Sequence, residues 1–447
     1  MKTSFLFSKP VRVFLTSTAG AFIFLLSAAC GNAHAADAAG QTVNSGDTAW
    51  MLISTALVML MTPGLAFFYG GMVRRKNVLG TMMQSFMILC LVSVIWVLWG
   101  YTLAFGPDRG GFIGGLEWLG LRGVGQAPSP FAPTVPHLVF MMFQGMFAVI
   151  TPALITGAFA ERIKFSAVMV FTVLWTTFVY SPVAHWVWGG GWISTRLHAL
   201  DFAGGTVVHI NSAAAALVAA LLIGRRKGYP SEHMAPHNLP LTVVGAALLW
   251  FGWFGFNAGS ALTSNGLASL AFVTTNTASA AAALSWAAAE YVQRKKSTAL
   301  GAVSGAVAGL VAITPAAGFV TPISAIAIGA FAGVLCYSAV NLKSRLGYDD
   351  ALDVVGIHGV GGFWGALATG LLASKLVNPA GADGLFNGNP SLFTAQAVAS
   401  VSTIVYSLVV SLILLKVVDW TIGLRVDEEH EDVGLDLSQH GERGYYL

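Results

Sequence analysis

Apolar runs of about 20 residues, separated by polar connectors, recur along the chain at 50–72, 77–105, 137–159, 165–187, 204–223, 239–261, 267–290, 298–317, 323–342, 352–374 and 394–419. A helix of that length crosses a hydrocarbon core of about 30 Å, so the pattern predicts eleven transmembrane helices. The connectors alternate in charge. Arg74-Arg75-Lys76, Glu161-Arg162-Ile163-Lys164, Arg225-Arg226-Lys227, Arg294-Lys295-Lys296 and Lys343-Ser344-Arg345 are basic, whereas 106–136, 188–203, 262–266, 318–322 and 375–393 are Gly/Pro-rich with few bases. Basic connectors stay in the cytoplasm, which puts the mature N-terminus outside and the C-terminus inside. Spans one to five then cross in the opposite sense to spans six to ten. A two-fold repeat would therefore be inverted, five plus five with one C-terminal helix added, its axis lying in the membrane plane.

Both ends of the chain depart from this pattern. Residues 1–35 carry Lys2, Lys9 and Arg12, an apolar run from Ala19 to Ala29, then Ala33-His34-Ala35. This reads as a secretory signal peptide cleaved after Ala35, with lipidation at Cys30 as the competing reading. Residues 36–422 form the membrane domain. The segment 423–447 turns polar and acidic through Asp427, Glu428, Glu429, Glu431, Asp432, Asp436 and Glu442, and reads as a cytoplasmic tail too short to be a domain.

Composition narrows the class. Hydrophobic residues make up 55% of the chain and charged residues 10%, with a mean hydropathy of +0.71, so this is an all-α polytopic membrane protein. A net charge of +3 gives no reason to expect a nucleic-acid partner. Cys30 lies in the leader and Cys90 and Cys336 in apolar segments, which excludes a disulfide framework.

Chemistry concentrates in two short stretches. In Asp201-Phe202-Ala203-Gly204-Gly205-Thr206-Val207-Val208-His209 an acid stands where it can accept free N–H groups of a starting helix, and an imidazole follows eight residues later among apolar neighbours. An ionisable group in such a run should face the bundle interior or a water path. Asp353-Val354-Val355-Gly356-Ile357-His358-Gly359 reads as a second copy. Two helices entering from opposite faces could bring His209 and His358 together near the midplane, although two separate core histidines are the plainer alternative. No third histidine, cysteine or paired carboxylate falls in these spans, so neither a metal nor another cofactor is expected. Trp188-Gly189-Gly190-Gly191 and Trp250-Phe251-Gly252-Trp253-Phe254-Gly255-Phe256-Asn257-Ala258-Gly259-Ser260 close the fourth and sixth spans. Their aromatics suit a membrane-interface belt or a cation–π site for a small cation. Phe143-Gln144-Gly145-Met146-Phe147 in the third span reads first as packing.

Taken with Ala160-Glu161-Arg162, His185-Trp186-Val187-Trp188-Gly189-Gly190-Gly191 and Pro236-His237-Asn238-Leu239-Pro240, these motifs closely resemble the ammonium transporter class that includes the methylammonium permeases and Rhesus proteins. The likeness runs from the first span through the tail. It implies an eleven-helix protomer with an inverted repeat, assembled as a homotrimer in the bacterial inner membrane with one pore per subunit. By the same resemblance, Phe147, Trp188 and Ser260 form an outer recruitment site. Phe147 and Phe256 form a stacked gate. His209 and His358, with Trp253, line a hydrophobic pore, and Asp201 supports the recruitment site structurally. The implied substrate is ammonium or ammonia, with methylammonium also possible, taken up for nitrogen assimilation. A trimeric PII-type signal protein is the implied partner at the cytoplasmic face. Two departures from the family pattern are visible: Trp192 and Arg196 in the loop before Asp201, and Asp427 where proline is common. A sensor with little flux and a membrane enzyme built on the histidine pair are the competing classes. The enzyme lacks further ligands or an acid–base pair.

Overall fold

A computed structural model describes residues 42–232 and 234–445. The leader, with cleavage after Ala35 or lipidation at Cys30, lies outside the described residues. Among the described residues, ten helices are long and apolar enough to cross a membrane: α1 Ser45–Met72, α2 Arg75–Phe105, α3 His137–Ala158, α4 Phe165–Val187, α5 Gly205–Ile223, α6 Leu239–Gly259, α7 Gly266–Arg294, α9 Pro322–Leu346, α10 Val355–Leu372 and α11 Pro390–Ile422. Between α7 and α9 lies α8, Ala299–Ile313, which is apolar but only 15 residues long. It nevertheless joins the two faces of the bundle. Its first turn is tied to Glu290 near the end of α7, whose carboxylate accepts the Thr298 N–H at 2.9 Å. Its far end reaches Pro315, whose carbonyl accepts the Phe202 N–H just ahead of α5 at 3.2 Å. Among the described residues the ten spans and α8 follow the expected apolar runs to within a few residues.

Local chemistry sets the helix ends. Asn44, Asn238 and Asn265 accept first-turn N–H groups of α1, α6 and α7 through their side chains. Thr298 and Thr321 do the same for α8 and α9. Each satisfies a backbone donor that would otherwise be orphaned in an apolar medium.

Close approach without a hydrophobic drive between helices requires small residues. Gly245, Gly252 and Gly259 recur every seven residues along α6, and added Cβ atoms there would meet the backbone or side chains of α1 at 2.2, 2.4 and 2.7 Å. These two helices consequently wall one side of the central column described below.

We call the face carrying 106–136 and 188–203 the vestibule face. The opposite, tail face carries the basic connectors. There α12, Glu428–Val433, and α13, Leu435–His440, fold back against the bundle. Val426 N–H donates to the Arg162 carbonyl at 3.0 Å and Lys164 N–H to that of Leu424 at 2.8 Å. Lys227 pairs with Asp432 at 2.5 Å and Arg425 with Glu431 at 2.7 Å. Asp436 accepts the Gly80 N–H at 2.8 Å, capping the start of α2. The acidic tail is therefore a clasp across several basic connectors.

Candidate functional site

The site begins with the carboxylate of Asp201. Gly204 has φ +116°, a backbone state suited to glycine, and it turns the chain so that four N–H groups converge on that carboxylate. Oδ1 accepts from Gly204 and Gly205, each at 2.7 Å. Oδ2 accepts from Thr206 at 2.8 Å and Val207 at 3.2 Å. Every orphan donor at the start of α5 is thereby satisfied, and the positive end of the helix dipole meets a negative charge. Burial pushes the Asp201 carboxyl up, while the four N–H groups pull it back.

The first turn of α5, Gly205–Ile210, is a wide π-helical turn that carries His209. α10 opens on a similar π-helical turn, Val355–Gly359, that carries His358. Such turns are frequent at functional sites because they re-aim side chains. The two imidazoles meet, Nδ1 to Nδ1, at 3.2 Å. The second Asp–His copy needs a correction, because Asp353 does not play the part of Asp201. It has φ +62° and pairs with Lys343 at 2.5 Å. The carboxylate that caps α10 is Asp350, whose Oδ2 accepts the Val355 N–H at 2.8 Å. Asp350 precedes His358 by eight residues, as Asp201 precedes His209.

From the histidines a column of rings runs toward the vestibule face. Trp253 stacks on His209 at 5.4 Å between centroids and 24° between planes. Its Nε1–H donates to the Thr314 hydroxyl at 2.9 Å, which leaves an apolar ring face turned to the lumen. Phe256 stacks on His209 at 6.1 Å and on Phe147 at 4.2 Å. The enclosed space beside His209, His358, Trp253 and Phe256 measures about 10 Å³, close to the minimum that holds one water. His209 Nε2 has no hydrogen-bond partner among the described residues. With no counter-ion in hydrogen-bond reach, the shared Nδ1 contact is that of two neutral rings, one donating and one accepting.

Beyond the Phe147–Phe256 stack the column opens into a vestibule of about 290 Å³, lined by Phe147, Trp188, Ser260, Gln144, Asp201 and Phe202 among others. Trp188 stands edge-on to Phe147 at 5.8 Å, and its Nε1–H is spent on the Asp201 carbonyl at 2.9 Å. Ser260 donates its proton to the Phe256 carbonyl at 2.8 Å, so its lone pairs remain available. Gln144 Oε1 has no partner among the described residues. Acceptor oxygens and ring faces without a lining basic side chain suit a small cation that carries N–H donors.

All the residues chosen from the sequence thus lie along one path. Three others on it were missed. Gln144 could have been found, since it stands one turn before Phe147 and shares its face. Asp350 repeats the spacing of eight but is one of three acids ahead of His358. Nothing in the sequence marks Thr314 as the residue that fixes Trp253.

With this geometry in hand, comparison with known proteins is specific. Residues 49–445 match the model of the Ammonium Transporter Family. The chain is 57% identical to an ammonium transporter of Bacillus subtilis strain 168 over 90% of this chain and 98% of that one. It is 51% identical to the ammonium transporter Amt1 of Archaeoglobus fulgidus, over 90% of this chain and all of the other. Among solved structures it resembles Saccharomyces cerevisiae Mep2 with a TM-score of 0.81 at 38% identity, covering 87% of this chain and 88% of that one. It also resembles a protein described as a sensor Amt with a TM-score of 0.82 at 29% identity, covering 88% and 98%.

Proposed function

Because the chain belongs to the ammonium transporter family and transports ammonium, we propose that it recruits the ion in the vestibule, where a proton leaves it, and passes ammonia through the histidine-lined lumen, the proton either crossing separately, which moves charge, or staying with the solvent of the vestibule. The observation that carries this reading is the unbroken column Trp188, Phe147, Phe256, His209, His358. Ser260 Oγ and Gln144 Oε1 accept N–H groups from the ion, while Trp188 and Phe147 contribute ring faces worth about 0.5–2 kcal/mol. The lumen beyond is too narrow and apolar for a charged ion to enter at reasonable cost. Ammonium can shed a proton and continue as a neutral molecule. Potassium cannot, so it is rejected.

The remaining assignments rest on the same frame. The tail face carries the basic connectors, so by the positive-inside rule it is cytoplasmic and the vestibule periplasmic, in a bacterial inner membrane. Residues 1–35 are a cleaved leader, 36–422 the transport domain and 423–447 a regulatory tail. The protomers assemble as a homotrimer, and a PII-type protein docks on the tail face. Exposed apolar side chains such as Leu284, Ile323 and Phe331 supply surface for neighbours or lipid. The chain is a transporter and not an enzyme.

The test is the current from proteoliposomes on a solid-supported membrane after an ammonium pulse. The parent gives an ammonium current and no potassium current, and His209→Ala abolishes it. Alkalinisation inside the vesicles without current would mean neutral ammonia conduction. Neither signal would overturn transport and favour a sensor, the second reading, which the docked tail and the likeness to the sensor Amt protein support.

A further inference from the structure

His185, in the last turn of α4, is fully buried outside the pore, yet both its ring nitrogens are engaged. Nδ1 lies 2.9 Å from the Ala104 carbonyl at the end of α2, and Nε2 lies 2.9 Å from Asp108 Oδ1 in the following loop. Both partners are acceptors. A neutral imidazole can donate to one of them and must turn a lone pair on the other, whereas an imidazolium donates to both. The end of a helix also favours a cation. Asp108 is exposed, and the His185 hydrogen bond, together with the Gly111 N–H, holds its carboxyl below the usual range.

The pair sits where the vestibule wall is made. The His185 carbonyl closes α4 by accepting N–H groups of Gly189 and Gly191 at 3.0 and 2.9 Å. An added Cβ on Gly189 would stand 2.0 Å from the Ala104 oxygen and 2.6 Å from His185 Nδ1. Gly189, the residue that follows Trp188, is thus gripped between His185 and the end of α2. The loop is pinned alongside: Trp186 donates to the Phe112 carbonyl at 2.8 Å, and Trp192 N–H to that of Gly111 at 3.0 Å.

We propose that His185 and Asp108 form an imidazolium–carboxylate clamp that positions Trp188 for recruitment. The proposal rests on Trp188 belonging to the recruitment site. The groups around the clamp set its sign. Arg196, in the turn Ile193–Leu197, adds positive charge near Asp108. Arg109 is occupied by Glu117 in the same loop, α2 offers the Ala104 carbonyl, and α11 places the Tyr406 ring on Trp186 at 4.6 Å. Asp108 is therefore the counter-ion of the imidazolium.

The experiment uses the full-length protein in bilayers. With ¹⁵N-labelled histidine, the resonances that Asp108→Asn moves identify His185, and both its nitrogens are expected to be protonated at pH 7. One protonated and one bare nitrogen would overturn the clamp. In transport, Asp108→Asn keeps an acceptor but removes the charge. Its apparent KM for ammonium should rise about fivefold, the effect of losing roughly 1 kcal/mol, with the maximal current unchanged. An unchanged KM would overturn the link to Trp188 even with the imidazolium present. Absence of both an ammonium current and internal alkalinisation in the parent would instead overturn the transport reading.

Discussion

Gly362 in α10 lies directly against His209: a Cβ at position 362 would stand 3.0 Å from His209 Cβ, 3.2 Å from the Gly205 carbonyl and 3.3 Å from Ile210 Cγ1. The missing side chain lets α5 and α10 approach until the two imidazoles meet. Gly362→Val adds three carbons where even one is crowded. Overpacking costs about 1–3 kcal/mol, and the cheapest relief is to move α10 away from α5. Ammonium current at matched protein density should fall at least about tenfold, the effect of roughly 1.4 kcal/mol, while elution on size exclusion is unchanged. A parent-like current would show that this contact does not set the histidine separation.

Asp201→Asn preserves shape but replaces one acceptor oxygen with a donor amide, which must face backbone N–H groups. Hydrogen bonds to a charged group are worth about 1.5–3 kcal/mol each, so loss of at least about 2 kcal/mol of local stability is expected, together with loss of transport. Asp350→Asn should be far milder at neutral pH, because Asp350 Oδ2 holds the Val355 N–H while Oδ1 has no partner among the described residues. Thermal unfolding in detergent orders the two variants. Equal shifts would contradict the difference between the two caps.

How much of this the residues announce depends on the range of the interaction. Spans are written locally in apolar length, and the described helices follow them. α8 is instructive: an apolar run expected to continue to residue 317 stops at Ile313, because Pro315 has no N–H with which to continue the helical hydrogen-bond ladder. The Asp201 cap was legible because a single acid precedes the glycines. Ahead of His358 there are three acids, Asp349, Asp350 and Asp353, and only tertiary partners sort them. Arg226 takes Asp349 at 2.8 Å, Lys343 takes Asp353, and Asp350 is left to cap α10. The tail clasp is illegible for the same reason, since Asp436 and Gly80 meet across most of the chain.

Thr314 gives a test of the lumen wall that leaves every pore-facing ring in place. Its hydroxyl is the acceptor for Trp253 Nε1–H, and both side chains are buried. Thr314→Val keeps the branched shape and orphans the indole donor, at a cost of about 1–3 kcal/mol. The melting temperature should drop, and the current should weaken as Trp253 loses its fixed tilt against His209. An unchanged melting temperature would mean that the indole finds another acceptor.

Asp350 should also leave a signature in pH. Burial pushes its carboxyl up to about 6 from an ordinary 3.8, with Lys343 opposing and Asp353 reinforcing the change. The folded state therefore binds a proton that the unfolded chain releases between those values. The sign follows: stability falls as pH rises from about 4 to about 6, and recovers on acidification. At about 1.4 kcal/mol for each pH unit in that window, the whole effect is at most roughly 3 kcal/mol. Asp108, Glu161, Asp349 and Asp432, whose carboxyls are held low, oppose this trend, so the contrast must be made against Asp350→Asn, which cannot titrate. The parent should gain melting temperature relative to the variant as pH is lowered from about 7 to about 4.5, a range that brackets the folded-state titration. A difference that stays flat across that range would mean that Asp350 keeps one protonation state throughout, and that its unpartnered oxygen is stabilised by something other than a proton.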